Sequence, residues 1–164
     1  MKVLIPHNEI VDICKNIGEN LTEKFNGKAP VVACVLKGAC PFHSELIKHI
    51  NLPITLDYVQ VSSYVGTEST GEINIKKDFD GDICGKDVII VEDIIDTGVT
   101  LSRLDVELKK RNPKSITYVC LLDKPSRRKV EFNADIVGKV IDNLFVIGFG
   151  LDYNEQFRNL KDIC

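Results

Sequence analysis

The sequence predicts an α/β fold: a central, mostly parallel sheet flanked by helices. Short, continuously apolar runs at residues 30–36, 88–91 and 116–122 have no polar face, which suits strands covered on both sides. Between them lie stretches with apolar residues at three- and four-residue steps, the spacing of a helix with one buried face. Apolar strands alternating with amphipathic helices make a parallel sheet with helices on both faces.

Each element follows in turn. Ile10, Ile13, Cys14, Ile17, Leu21 and Phe25 define a helix over 8–25 that ends near Gly27. A strand follows, and then a second helix from Gly38 to His49. Residues 54–65 alternate and are rich in β-branched and aromatic side chains; 66–71 are polar and turn-like. Ile73 and Ile75 alternate again, so a hairpin is expected. After the strand at 88–91 come acidic residues, then a helix marked by Leu101, Leu104 and Leu108 and stopped by Asn112-Pro113. The apolar runs 136–141 and 144–149 follow the strand at 116–122. Phe145 and Val146 are expected as core strand residues, and Arg158 as a charge on a C-terminal helix.

Composition narrows the function. The chain has 164 residues, 44% hydrophobic and 27% charged, with a net charge of −3, which describes one globular domain over 1–164. A mildly acidic chain is not a nucleic-acid-coating protein, whose footprint is a basic face. No apolar run approaches the ~20 residues that span a bilayer. The start, from Met1 to His7, lacks a long apolar region and a cleavage site, so the cytoplasm is the expected location. The six cysteines contain no C-x-x-C pair and are read as reduced, buried, small hydrophobes. His7, His43 and His49 share no metal-ligand spacing and are expected at surfaces or interfaces.

The chemistry concentrates in Val88-Ile89-Ile90-Val91-Glu92-Asp93-Ile94-Ile95-Asp96-Thr97-Gly98-Val99-Thr100. Three carboxylates stand at the end of a buried strand, and Thr97, Gly98 and Thr100 open a helix. Free N–H groups at a helix start, two hydroxyls and a glycine that permits close approach form a cradle for a phosphate monoester. Carboxylates beside a phosphate better face hydroxyls or a hard cation such as Mg²⁺. Hydroxyls, cation and phosphate in one loop describe a ribose phosphate.

This string resembles the phosphoribosyl-diphosphate signature of type I phosphoribosyltransferases, and Glu92 to Gly98 resembles the hypoxanthine-guanine branch. The resemblance runs in order along nearly the whole chain. It implies the type I phosphoribosyltransferase fold, with a small hood built from the N-terminal residues and roughly 125–164, and a mobile hairpin loop. Leu36-Lys37-Gly38-Ala39 resembles the diphosphate loop, whose Leu–Lys peptide can be cis. Ser62-Ser63-Tyr64 through Glu72 resembles the mobile loop that covers the site, with Ser63 and Tyr64 as its matching pair. Lys124 matches the lysine that donates to the exocyclic oxygen of a 6-oxopurine. Phe145 and Val146 match the purine-stacking and backbone-contact pair. Leu151 to Arg158 matches a segment whose aspartate, here Asp152, lies near the purine and a second Mg²⁺, and whose arginine, here Arg158, meets diphosphate.

The resemblance implies purine salvage: transfer of the 5-phosphoribosyl group from phosphoribosyl diphosphate to N9 of hypoxanthine or guanine, with xanthine also permitted. IMP or GMP and diphosphate would form through an oxocarbenium-like transition state. It assigns Asp96 as general base, Asp96 to Thr100 to the 5′-phosphate, and Lys37, Gly38 and Arg158 to diphosphate. Glu92 and Asp93 fall to the ribose hydroxyls and Mg²⁺. Homodimers or homotetramers are the family's usual assemblies. Val99 replaces a lysine carried by many eukaryotic relatives, Ala39 replaces a common second glycine, and the chain has the compact bacterial length. A regulator that only senses phosphoribosyl diphosphate is the alternative. The presence of Asp96, Lys124 and Asp152, and the lack of a basic or helix-turn-helix surface, weigh against it.

Overall fold

The computed structural model describes residues 1–63 and 73–164. Tyr64 and the rest of the expected covering loop lie outside the described residues, and Ser63 is placed only as the last residue of its strand. The elements run α1 (His7–Lys24), β1 (Val31–Val35), α2 (Cys40–Leu46), β2 (Thr55–Ser63), β3 (Ile73–Lys77), β4 (Asp87–Ile95), α3 (Val99–Lys109), β5 (Ser115–Asp123) and β6 (Ile136–Val140). A 3-10 turn at Ile47–His49 prolongs α2, and another follows β5 at Pro125–Arg127.

The sheet order is β3-β2-β1-β4-β5-β6. All pairs are parallel except the β2–β3 hairpin. From β1 the chain first builds toward β2 and then crosses back to β4. The carboxyl ends of β1 and β4 therefore lie side by side where the winding reverses, with Cys34 opposite Val91. Open α/β sheets hold their ligands in the crevice at such a point.

Alternate residues of the central strands supply two cores. Val32, Ile89, Val91, Val119 and Leu121 face α1 and α2, meeting Ile10, Cys14, Leu21, Phe42 and Leu46. Ala33, Val35, Val88, Ile90 and Cys120 face the other way, toward Leu101, Leu104 and Leu108 of α3. Removing this much apolar surface from water is the main driving force for the architecture. The edge strand β3 ends in Lys76 and Lys77, charges that discourage pairing with another chain.

The two chain ends pair with each other over the core that holds α1 and α2, with Ile5 and Ile163 both buried in it. Leu4 and Ile5 N–H groups donate to Ile163 O at 2.8 and 3.0 Å, and the Asp162 carboxylate caps α1 by accepting from His7 N at 2.8 Å.

Two expected elements are absent. Residues 144–149 form no sheet strand: Ile147 exchanges hydrogen bonds with Cys164, and Phe149 N donates to Leu160 O at 2.8 Å, so this backbone is satisfied by the C-terminal tail. Phe145 is accordingly 73% exposed rather than in the core, whereas Val146 is buried. Arg158 lies on no helix, because Asn154, Glu155 and Phe157 have φ of 50°, 65° and 72°, a region an α-helix does not visit. Two smaller readings are also corrected. Cys40 and Cys84 are exposed, unlike buried Cys14, Cys34 and Cys120. His43 is buried with Nε2 3.2 Å from Val32 O, and burial lowers its pKa.

Candidate active site

β4 runs past its apolar run as far as Ile95, so Glu92 and Asp93 belong to the strand itself. Pairing with β5 continues past them, Glu92 opposite Cys120 and Ile94 opposite Leu122, while pairing with β1 ends at Val91, so they stand where the crevice opens between β1 and β4. Asp93 is 9% exposed and Glu92 is partly buried. Asp93 N donates to Glu92 Oε1 at 3.0 Å, and Ile94 N to Asp93 Oδ1 at 2.8 Å. Burial, reinforced by the neighbouring Asp93 charge, pushes the Glu92 carboxyl well above the ordinary range. Burial raises Asp93 too, against the pull of its hydrogen bonds and of Arg158. Two crowded carboxylates with raised pKa values are poised to receive hydroxyl donors or a cation.

Beyond Asp96 the chain turns into α3 through Gly98, whose φ of 79° is the left-handed value that favours glycine. Thr97 Oγ1 accepts from Val99 N at 3.4 Å, and the other N–H groups of the first helical turn precede any intrahelical partner. Two arginines that the sequence reading passed over grip this turn from behind. Arg128 is mostly buried. It pairs with Asp123 at 2.7 Å and donates to the carbonyls of Asp96 at 3.1 Å and Phe132 at 2.6 Å. Arg127 Nε donates to Asp96 Oδ1 at 2.9 Å. Their signal was present as a basic pair just beyond the β5 terminus, three and four residues after Lys124.

The loop after β1 supplies the opposite wall. Its Leu36–Lys37 peptide is cis. Gly38 lies against the Asp93 carboxylate, where any Cβ would collide with Oδ2, and the same loop abuts Gly150, whose Cβ would collide with Gly38 O. Lys37 points outward, its Nζ 2.8 Å from Glu155 Oε2. Arg158 donates to Gly150 O at 2.7 Å and meets Asp152 and Glu155 at 3.0 Å each. Its Nε is buried without a partner among the described residues.

One cleft gathers Glu92, Asp93, Asp96, Thr97, Gly98 and Thr100 with Gly38 and Arg158. Lys37, Val99, Lys124, Phe145, Val146 and Asp152 do not line it. Lys124 is buried at the end of β5, its N–H donating to Ile95 O at 3.0 Å, so it stands one strand away from Asp96. Phe145 meets Tyr153 edge-on at 5.9 Å on an exposed apolar surface. Asp152 is held by Arg158 and by the N–H of Glu155, and does not join Glu92 and Asp93. Among the described residues no three acidic, histidine or cysteine side chains converge as a metal-binding cluster. Size does not single out the site. A larger groove of about 540 Å³ at the amino end of β5 is lined by Asp105, Lys109 and Asp135, but no helix start faces it and its two carboxylates are already engaged, Asp105 by Tyr118 and Lys109 and Asp135 by the Tyr118 N–H.

Parallel strands, a carboxylate pair and a left-handed turn into a helix start define a ribose-phosphate-handling α/β protein. Residues 4–154 match the phosphoribosyl transferase domain, and the chain belongs to that family. Hypoxanthine-guanine phosphoribosyltransferase of Streptococcus pneumoniae strain R6 is 49% identical over 163 residues, spanning 99% of this chain and 91% of the relative. The crystal structure of a hypoxanthine phosphoribosyltransferase from Staphylococcus aureus matches with a TM-score of 0.95 at 47% identity, covering 99% of this chain and 89% of that one. A hypoxanthine-guanine phosphoribosyltransferase from Bacillus anthracis matches with a TM-score of 0.93 at 39% identity, over 99% and 96% of the two chains. No helix among the described residues is long and apolar enough to cross a membrane.

Proposed function

We propose that the chain is a purine salvage enzyme. It transfers the 5-phosphoribosyl group from phosphoribosyl diphosphate to N9 of hypoxanthine or guanine, giving IMP or GMP and diphosphate. The observation that carries this reading is the convergence of the Glu92–Asp93 pair, the start of α3 and Arg158 on one cleft. The names of the relatives support the choice of base.

In this reading the N–H groups and hydroxyls from Thr97 to Thr100 hold the 5′-phosphate at the positive end of α3. Glu92 and Asp93 accept from the ribose hydroxyls. Their two adjacent carboxylates also suit Mg²⁺, with substrate oxygens and waters completing its shell. Bound there, the cation would neutralise charge on the departing diphosphate. Lys37, the Gly38 amide and Arg158 receive diphosphate as its oxygen leaves C1′ with the bonding electrons. N9 of the base then closes on C1′, and Asp96 takes the proton from N7. Asp96 must exchange Arg127 for the base to do so. Lys124, buried with no hydrogen-bond or ion-pair partner for its Nζ among the described residues, would donate to the 6-oxo group and reject a 6-amino group. Phe145 would stack on the purine, Val146 would contact it through its backbone, and Asp152 would lie near it and a second Mg²⁺. Ser63 and Tyr64 would belong to the loop that covers the sugar cation from water. The paired chain ends, with roughly 125–164, would serve as the hood of a single domain. The exposed apolar side chains Val3, Leu4 and Leu144 support a homodimer or homotetramer; the cytoplasm is the compartment this reading expects.

An ultraviolet assay with Mg²⁺, phosphoribosyl diphosphate and each of hypoxanthine, guanine, xanthine and adenine tests the reading. Turnover of 6-oxopurines alone is expected, lost on chelation. Tight binding of phosphoribosyl diphosphate without turnover of any base would replace the enzyme by a sensor.

A further inference from the structure

Lys37 and Arg158 come from opposite ends of the chain, yet both reach one carboxylate. Lys37 Nζ lies 2.8 Å from Glu155 Oε2, and Arg158 donates to Glu155 Oε1 at 3.0 Å. Each oxygen takes one cation, so Glu155 spans the two positive groups assigned above to diphosphate. Its backbone is built for this. Glu155 sits at φ 65° between left-handed Asn154 and Phe157, an arrangement costly for side-chain-bearing residues, and its N–H is pinned by Asp152 Oδ2 at 2.8 Å. The Gly150–Gly38 contact holds the two loops together. Yet the Glu155 side chain is 64% exposed, so it can return to water at little loss.

We propose that Glu155 is a built-in counter-anion of the diphosphate subsite: its carboxylate keeps Lys37 and Arg158 paired and positioned until diphosphate displaces it. Diphosphate carries more charge and more acceptor oxygens than one carboxylate, so it wins the exchange. On product release Glu155 takes the cations back, which speeds departure of a highly charged leaving group. Glu155 is a positioning residue that sets diphosphate affinity; it touches no reacting atom. The proposal rests on the reading of Lys37 and Arg158 as diphosphate ligands.

The test is calorimetric titration of the full chain with inorganic diphosphate and Mg²⁺. Glu155→Gln should tighten binding about two- to tenfold, the span expected from losing two competing exposed ion pairs. Glu155→Gly, which suits the positive φ, should do the same. Glu155→Asp, too short to span both cations, should fall between. In turnover, KM for phosphoribosyl diphosphate should drop together with kcat as release slows. A Kd that is unchanged or weaker in both Glu155→Gln and Glu155→Gly overturns the proposal. Lys37→Met and Arg158→Met separate the two layers. If neither weakens diphosphate binding, the subsite reading fails. If they weaken it while Glu155→Gln does not tighten it, only the counter-anion is lost.

Discussion

Arg127 Nε holds Asp96 Oδ1 at 2.9 Å, so the carboxylate proposed as general base is already oriented by a cation from the neighbouring strand's terminus. Arg128, the next residue, binds the Asp96 carbonyl. One side chain and one backbone group of the same aspartate are thus fixed by adjacent residues at the end of one short 3-10 turn, which keeps the start of α3 aimed into the cleft.

Removing the base tests this orientation. Asp96→Asn keeps the shape and loses the proton acceptor, so kcat should fall by about 10²–10⁴ while the affinity for phosphoribosyl diphosphate changes little. Pre-steady-state assays with hypoxanthine give the comparison. Wild-type turnover from this variant would remove Asp96 from the role.

Arg128 is a stability prediction. Its pair with Asp123 is largely withdrawn from water, with side-chain exposures of 13% and 9%. Arg128→Met strands the Asp123 charge and frees the carbonyls of the phosphate turn. A loss of about 3–5 kcal/mol in urea unfolding is expected, the usual result of breaking a buried pair from one side.

Glu92 predicts the opposite sign. Its folded-state pKa is raised, so its contribution to stability is full below the unfolded value of about 4.3 and is lost as pH rises through the folded value. At neutral pH without Mg²⁺, Glu92→Gln should therefore melt higher than wild type, by a few degrees, on the scale of about 2–4 °C per kcal/mol for chains of this size. The gap should close as pH falls toward 4. The same variant should bind phosphoribosyl diphosphate more weakly. A lower melting point across the pH range would sink the account.

Asp78 works the other way. Arg111 grips it with two hydrogen bonds, of 2.7 and 2.9 Å, tying the end of the hairpin to the end of α3. Chiefly through Arg111, its pKa is lowered, so its stabilisation is present above the unfolded value of about 3.9 and disappears as pH drops through the folded one. Asp78→Asn should lower the melting temperature slightly at pH 7 and converge with wild type in acid. The pair is half exposed, so salt should shrink the difference.

Sequence reading succeeded where the information is local. The two-sided burial of β1, β4 and β5 is written in unbroken apolar runs, and the strand–carboxylate–helix passage from Val88 to Thr100 is contiguous, so its chemistry could be read in order. It failed at 144–149 because an apolar run says that a segment is buried or near an apolar neighbour, not whether a sheet edge or a chain terminus takes up its backbone hydrogen bonds. It failed at Arg158 because the left-handed residues before it are not glycines and carry no local mark.

By itself, then, the sequence determined the α/β class, the strand that carries Glu92 and Asp93, and the turn that opens α3. These follow from periodicity and from glycine's access to positive φ. Only the tertiary structure decided which partners those groups have. Asp96 meets Arg127 across 31 positions and Lys37 meets Glu155 across 118. Such pairings are set by where parallel strands end in space, and the order in which the sheet is wound brings those ends together.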